Sequence, residues 1–207
     1  MTPIPSCPHS DTKTTVRLDP VVRRLLMMVV LALAGAVCGA ESVPLSNTEV
    51  RVLPTSANGR SYTLHIGLPA SYAASPSRKY PVVYSCDGYW DFPLFVASGG
   101  NLQYDGAIPD CIFVGIAYSG TSPDVGSLRS LDDTPLDTYN DPGRVSTGYA
   151  KEFLDVITAE FIPFVESHYR VDTTFRVLTG SSYGGLFTIY ALLQRPGLFQ
   201  GYIAPSP

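Results

Sequence analysis

The pattern of apolar and polar positions changes several times along this chain of 207 residues. Residues 49–53 and 61–68 alternate apolar and polar side chains, and a turn signal at 57–59 separates them, so they predict an antiparallel hairpin at a sheet edge. Residues 80–86 and 111–118 are nearly continuous apolar runs. Such runs are typical of strands that are covered on both faces.

The second half of the chain predicts alternating helices and strands. Apolar residues at three- and four-residue spacing indicate a helix from about residue 147 to 169, with a kink at Pro163. A strand at 175–179, a helix at 183–194 and a last strand at 201–204 follow. The order β-β-β-β-α-β-α-β predicts an α/β fold, with a mostly parallel sheet flanked by helices.

A segment rich in Asp, Pro, Gly and Ser connects these halves at 119–145 and is long enough to build a binding site. Its acids match no calcium-loop spacing, so we interpret them as solvated or pocket-lining carboxylates: Asp132, Asp133, Asp137 and Asp141. Because no Cys, His and carboxylate cluster has ligand spacing, we predict no metal site. No cofactor is predicted either.

The first forty residues have the layout of a secretory signal peptide. Residues 25–40 are uncharged and apolar, and small residues near Cys38 and Ala40 offer cleavage sites. Four basic residues precede the apolar run: Lys13, Arg17, Arg23 and Arg24. We predict a signal peptide at 1–40, a domain at 41–207, and a secreted or periplasmic protein with no membrane association after cleavage. An uncleaved anchor is the competing interpretation, although 16 residues are short for a span.

Charge and cysteine content limit the kinds of partner and the covalent cross-links that we expect of this protein. The chain has 14 basic and 18 acidic residues, and without the leader 10 and 16 remain, so a nucleic-acid partner is not expected. Its 45% hydrophobic content supports a packed core. Cys86 would end one strand and Cys111 begin a parallel one, too far apart to bridge. We predict that both are buried free thiols.

The sharpest chemical motif is a G-x-S-x-G sequence at 180–184. It lies between a predicted strand and a predicted helix, the setting of a nucleophile elbow. There Ser182 would occupy a strained turn, and the backbone N–H of Tyr183 would point toward a developing oxyanion. A glycine-rich turn before a helix is the structural alternative.

A second oxyanion donor should come from the loop after the third strand. Gly88 and Tyr89 are the candidates, because a glycine there lets the backbone approach a substrate carbonyl closely. Asp87 and Trp90 are candidates for lining the substrate pocket, together with the Tyr89 side chain. Packing on the surface is the alternative for the two aromatic residues.

Three stretches together carry a family resemblance: YPVVYSCDGYWDF, AEFIPFVESHYRVD and FRVLTGSSYGGLFTIYALLQRPGLFQGYIAPSP. With Arg129 and the Asp-Thr-Pro at 133–135, they resemble the putative-esterase family of α/β-hydrolases over nearly everything after residue 45. That family includes siderophore esterases of the enterochelin type, S-formylglutathione hydrolase, feruloyl and acetyl-xylan esterases, and mycolyltransferases. The Asp-Gly loop is most similar to the siderophore-esterase branch. The resemblance implies that Ser182 is the nucleophile, with Tyr183 and the 87–89 loop shaping the oxyanion hole.

The chain departs from the family in the rest of the triad, whose acid and histidine follow the serine. Residues 183–207 contain no Asp, Glu or His. His65 and His168 precede Ser182, and we interpret both as structural. The expectation is therefore an α/β-hydrolase domain truncated at its carboxyl end, inactive as given, with roughly 80–120 further residues in the complete fold.

These observations favour an exported serine hydrolase that cleaves carboxylic esters through an acyl-serine intermediate, with a small-molecule or glycan ester as substrate. Two alternatives remain open at this point. One is a secreted, non-catalytic binding protein with a hydrolase-like fold. The other is an acyltransferase, which would share the acyl-enzyme and differ in the acceptor.

Overall fold

A computed structural model describes residues 19–25, 27, 42–136 and 147–207. The chain divides into two units, Met1–Val43 and Pro44–Pro207. In the first unit residues 20–25 are helical, whereas most of the predicted apolar leader lies outside the described residues. Asp137 and Asp141 lie outside them as well. Within the described ranges, no helix is both long and apolar enough to cross a bilayer.

The second unit is built on one mixed sheet. Its six strands are β1 (Thr48–Val52), β2 (Tyr62–Gly67), β3 (Tyr80–Ser85), β4 (Ile112–Tyr118), β5 (Val171–Thr179) and β6 (Gly201–Ile203). They lie in the order β1-β2-β4-β3-β5-β6. The β1–β2 and β2–β4 pairs are antiparallel, and the other three pairs are parallel. The predicted edge hairpin and the mostly parallel α/β sheet are confirmed.

Burial along the strands follows the sequence pattern. All seven residues of β4 are buried, in agreement with its continuous apolar run, and β2 alternates buried and half-buried positions over most of its length. The large side chains that are almost fully buried between sheet and helices include Tyr62, Tyr84, Phe153, Phe161 and Phe187. Burying such aromatic rings supplies a large part of the hydrophobic stabilisation.

Five α-helices of this unit lie in the described part of the chain. They are α1 (Gly88–Tyr104), α2 (Val125–Asp133), α3 (Ala150–Val156), α4 (Ile162–His168) and α5 (Tyr183–Gln194). A π-helical turn, Ile157–Phe161, joins α3 to α4. The helix predicted over 147–169 is therefore continuous from Ala150 to His168, and the widened turn comes just before Pro163. Because proline lacks an N–H and its ring crowds the carbonyl four residues earlier, a π-turn there relieves the clash.

Two helices were absent from the predicted element order. α1 joins the parallel strands β3 and β4, a connection that requires a crossover of a dozen or more residues. It contains Pro93, Gly99 and Gly100, which weaken its helical signal in sequence. α2 occupies part of the predicted loop and is capped by Asp124, whose side chain accepts the Ser127 N–H at 3.1 Å.

The prediction for the two cysteines of this unit is confirmed. Cys86 and Cys111 are both buried and free. Burial raises the pKa of the Cys86 thiol well above its ordinary value and that of Cys111 to about 12. Both therefore remain protonated, unreactive thiols at neutral pH.

Candidate active site

The G-x-S-x-G sequence forms a sharp turn between β5 and α5. Ser182 has φ 56° and ψ −118°, a left-handed conformation that non-glycine residues rarely adopt. Its backbone N–H donates to the Pro205 carbonyl at 3.1 Å, and its own carbonyl accepts the Leu186 N–H at 2.9 Å. This is a strained residue at the junction of a strand and a helix, as a nucleophile elbow requires.

The two glycines of the motif allow this turn to pack closely. A Cβ on Gly180 would lie 2.7 Å from backbone atoms of Gly184. A Cβ on Gly184 would lie 2.6 Å from Oδ2 of Asp87, on the loop after β3. Both distances are shorter than any side chain tolerates, so glycine is needed to bring the elbow against that loop.

The parallel pairing of β3 with β5 brings the second predicted element to the same edge. Ser85 is the register partner of Thr179, so residues 87–88 and 181–182 leave neighbouring strands at matching positions. α1 and α5 begin immediately afterward. The first backbone N–H groups of a helix have no intrahelical acceptor, and they favour negative charge. The N–H groups of residues 88, 89 and 183 are therefore donors suited to an oxyanion.

The predicted pocket residues differ in exposure. Gly88 is buried, and a Cβ there would lie 2.3 Å from the Gly115 carbonyl carbon on β4, so it is a close-approach glycine. Tyr89 and Trp90 are each 52% exposed, and their rings meet edge to face at 5.5 Å. Tyr183 is 37% exposed. Trp90 and Tyr183 both face Arg129, which bonds to Ser181 of the elbow, and Tyr89 contacts Trp90.

Asp87 has a different placement from the one expected of a pocket residue. It is only 4% exposed, and both carboxylate oxygens are engaged. Oδ2 accepts the Ser181 N–H at 2.9 Å, and Oδ1 accepts Nε of Arg129 at 2.6 Å. Nη2 of Arg129 donates in turn to the Ser181 carbonyl at 2.5 Å. Sequence reasoning missed the site role of Arg129, whose only signal was its place in a family-like segment.

The acids of α2 are buried, so the interpretation as solvated or pocket-lining carboxylates is wrong for Asp132 and Asp133. Asp132 is fully buried and accepts the Tyr62 hydroxyl at 2.8 Å, with Arg60 at 3.2 Å; burial raises its pKa to about 6. Asp133 lies 3.5 Å from Nε of Arg129, and within the described residues neither oxygen accepts a hydrogen bond. Burial raises its pKa well above the ordinary value.

Neither histidine of the second unit lies beside Ser182. His65 shares a sheet row with Thr179, but three inter-strand spacings, about 14 Å, separate them. Its ring packs on Phe92, and burial lowers its pKa. His168 precedes β5, whose nine residues carry the chain roughly 25 Å to the elbow. Among the described residues, no group of His, Cys, Asp or Glu is arranged to hold a metal ion.

A mostly parallel sheet with helices on its faces and a serine on a strained turn after an interior strand defines the class of α/β-hydrolases. Comparison with known proteins agrees with this class. The chain belongs to a family of carboxylic ester hydrolases described as putative esterase, whose sequence profile matches residues 55–207.

Several relatives are siderophore esterases by name. Ferri-bacillibactin esterase BesA of Bacillus subtilis is 32% identical over 184 residues, which cover 84% of this chain and 62% of the relative. Siderophore triacetylfusarinine C esterase of Aspergillus fumigatus is 32% identical over 80% of this chain and 57% of its own length. The chain thus spans about three fifths of the length of these curated relatives.

Solved structures give the same fold. The BES protein from Bacillus cereus superposes with a TM-score of 0.72 at 28% identity, over 82% of this chain and 66% of that one. Siderophore hydrolase EstA from Aspergillus nidulans superposes with a TM-score of 0.67 at 26% identity, over 80% and 60%. The α/β-hydrolase fold predicted from the sequence is confirmed.

Proposed function

We propose that this protein is an exported serine esterase that cleaves the carboxylic ester bonds of a siderophore or a similar small molecule. The observation that carries the proposal is the left-handed Ser182 on a tight strand-to-helix turn, beside the amino terminus of α1. Relatives named as siderophore esterases support the choice of substrate class.

The proposed reaction begins with attack of the Ser182 hydroxyl on the ester carbonyl carbon. The carbonyl oxygen becomes an oxyanion, which the N–H of Tyr183 and an N–H from Gly88 or Tyr89 would stabilise. The bond from the carbonyl carbon to the alcohol oxygen then breaks, and the alcohol leaves with the proton that the serine hydroxyl gave up. A water molecule next attacks the acyl-serine, so that its hydroxyl goes to the released acid and its proton restores the Ser182 hydroxyl. Tyr89 and Trp90, both half exposed, would contact the substrate.

Hydrolysis assays on the whole gene product test the function. We expect turnover of p-nitrophenyl acetate and of ferri-bacillibactin or triacetylfusarinine C, with the siderophore products detected by mass spectrometry. Turnover of these esters should be lost in Ser182→Ala. Turnover of p-nitrophenyl acetate without turnover of either siderophore would support esterase activity and contradict the proposed siderophore substrate. Acyl transfer to a sugar acceptor, or ligand binding without turnover, would favour the alternative functions. Residues 41–207 alone are expected to show negligible turnover, because neither His65 nor His168 is placed as a base.

Export is proposed from the leader alone and has its own test. Amino-terminal sequencing of the protein recovered outside the cytoplasm should begin at Glu41, or at Gly39 if cleavage follows Cys38. An intact amino terminus in a membrane fraction would indicate the uncleaved anchor instead.

A further inference from the structure

We infer that Asp87 and Arg129 are positioning residues that hold the two sides of the oxyanion hole in register. The inference rests on the proposed function, since the oxyanion hole belongs to it. Three segments far apart in sequence meet at this pair: the loop after β3, helix α2, and the elbow after β5. Each is joined to the other two by a hydrogen bond.

The three hydrogen bonds form a closed ring around Ser181, the residue before the nucleophile. Asp87 accepts the Ser181 N–H at 2.9 Å, and Arg129 donates to the Ser181 carbonyl at 2.5 Å. The third bond, 2.6 Å long, joins Arg129 to Asp87. Both polar groups of one backbone residue are therefore held by one ion pair. Because two charged groups are involved, each bond is stronger than a neutral one.

The orientation of the Asp87 carboxylate is unusual for its position. Asp87 is the N-cap of α1, where an aspartate ordinarily accepts an N–H from the second or third residue of its own helix. Here the side chain makes no such bond and reaches across to Ser181. The N–H of Tyr89, the second helical residue, is consequently free of this cap. The same carboxylate thus leaves one oxyanion donor available and fixes the strand end that carries the other.

The surroundings of Arg129 favour a positioning role over attraction of an anionic substrate. Its guanidinium faces two carboxyl groups, Asp87 at 2.6 Å and Asp133 at 3.5 Å, and the Asp87 carboxylate alone balances its positive charge. The ring centroids of Trp90 and Tyr183 lie 5.8 and 5.5 Å from its Cζ. With its side chain 16% exposed, Arg129 is held in place chiefly by protein contacts.

A matched control exists on the same sheet. Arg176 of β5 has a side chain that is 15% exposed and paired with a carboxylate, Glu166, through Nε at 3.0 Å. It lies three residues before Thr179, toward the middle of β5 and away from the elbow. Removing either guanidinium leaves a carboxylate without its ion pair, buried in the case of Asp87 and half-buried in the case of Glu166, so both substitutions should destabilise the fold. Only one of them should disturb the oxyanion hole.

The test compares Arg129→Ala, Arg129→Lys and Asp87→Asn with Arg176→Ala in the whole gene product, at a temperature where every variant is folded. Misplacement of a catalytic group by about 1 Å can cost 10²-fold, so we expect kcat of Arg129→Ala to fall by about that factor while KM changes little. Inhibition by phenylboronic acid, which forms a tetrahedral adduct on the serine, should weaken in parallel. The kcat of Arg129→Lys should fall between those of wild type and Arg129→Ala, because lysine keeps the positive charge but lacks the planar fork whose two nitrogens reach Asp87 and the Ser181 carbonyl separately.

Three results would overturn the inference or separate it from the proposed function. A kcat of Arg129→Ala close to that of Arg176→Ala overturns positioning. An unchanged boronic-acid affinity does the same. If the wild type shows no Ser182-dependent turnover, the proposed function fails, and hydrogen exchange of the Ser181 amide then tests the positioning role by itself. Faster exchange in Arg129→Ala than in Arg176→Ala supports positioning of Ser181 by Arg129, and equal exchange refutes it.

Discussion

Replacing Gly184 by alanine sets two opposing effects against each other. Gly184 is the second residue of α5, where alanine favours the helix over glycine by about 0.5–1 kcal/mol. The new Cβ, however, would lie 2.6 Å from Oδ2 and 3.2 Å from Cγ of Asp87. The Asp87 carboxylate is buried and bonded to Ser181 and Arg129, so it cannot rotate away freely.

The magnitude follows from what must be broken to make room. If Asp87 retreats, two hydrogen bonds to a charged group are lost, worth about 1.5–3 kcal/mol each. Subtracting the helix preference leaves a net decrease of about 2–5 kcal/mol in the free energy of unfolding. For a unit of this size, that decrease lowers the melting temperature by roughly 4–20 °C. The elbow should shift as well, so any Ser182-dependent turnover should fall.

Urea denaturation, monitored by circular dichroism, measures the change in the free energy of unfolding, with Gly100→Ala as the control. Gly100 lies in α1, and a Cβ there would meet nothing within 4 Å. The control should therefore gain about 0.5–1 kcal/mol from helix preference alone. If Gly184→Ala is as stable as wild type or shows the same gain as the control, the close contact between elbow and Asp87 is refuted.

Three further predictions concern other buried groups. Asp132→Asn should gain stability relative to wild type as pH rises from about 4 to 6 in urea titrations, because burial raises the Asp132 pKa to about 6 and the ionised form costs stability; a pH-independent difference would contradict this. Cys86 and Cys111 should resist iodoacetamide at pH 8 in the folded protein and react in urea, as located by mass spectrometry; modification of the native protein would argue against their burial. Gly88→Ala should lose more stability than Gly184→Ala, because its Cβ meets the Gly115 backbone at 2.3 Å; an equal or smaller loss would imply that β4 can move.

The parts of the fold that the sequence predicted are those governed by local chemistry. The apolar runs at 80–86 and 111–118 are strands, as predicted; β4 is buried on both faces, whereas Pro81 and Val83 of β3 are half-buried. The helix predicted at 183–194 has the observed bounds, since the Gly-Ser turn before it and the Arg-Pro-Gly after it are strong local signals. The motif that places Ser182 on a turn is local in the same sense.

Helix α1 was not predicted because its helical signal in the sequence is weak and because the need for a helix there comes from the sheet topology. Pro93, Gly99 and Gly100 lower its helix propensity, and its apolar residues do not form a clear stripe. What requires a crossover there is the parallel pairing of β3 with β4, a fact about the sheet. The acids of α2 were misjudged for a related reason, since burial depends on what packs over them.

The arrangement around the nucleophile shows the same division. The sequence alone determined that a serine would lie on a tight turn between a strand and a helix, because the glycines, the β-rich run and the apolar helix are adjacent in the chain. Only the tertiary structure decided that Asp87 and Arg129 would meet at Ser181, across separations of 94 and 52 residues. The parallel register of β3 and β5 and the packing of α2 make those contacts. No local pattern of residues encodes either.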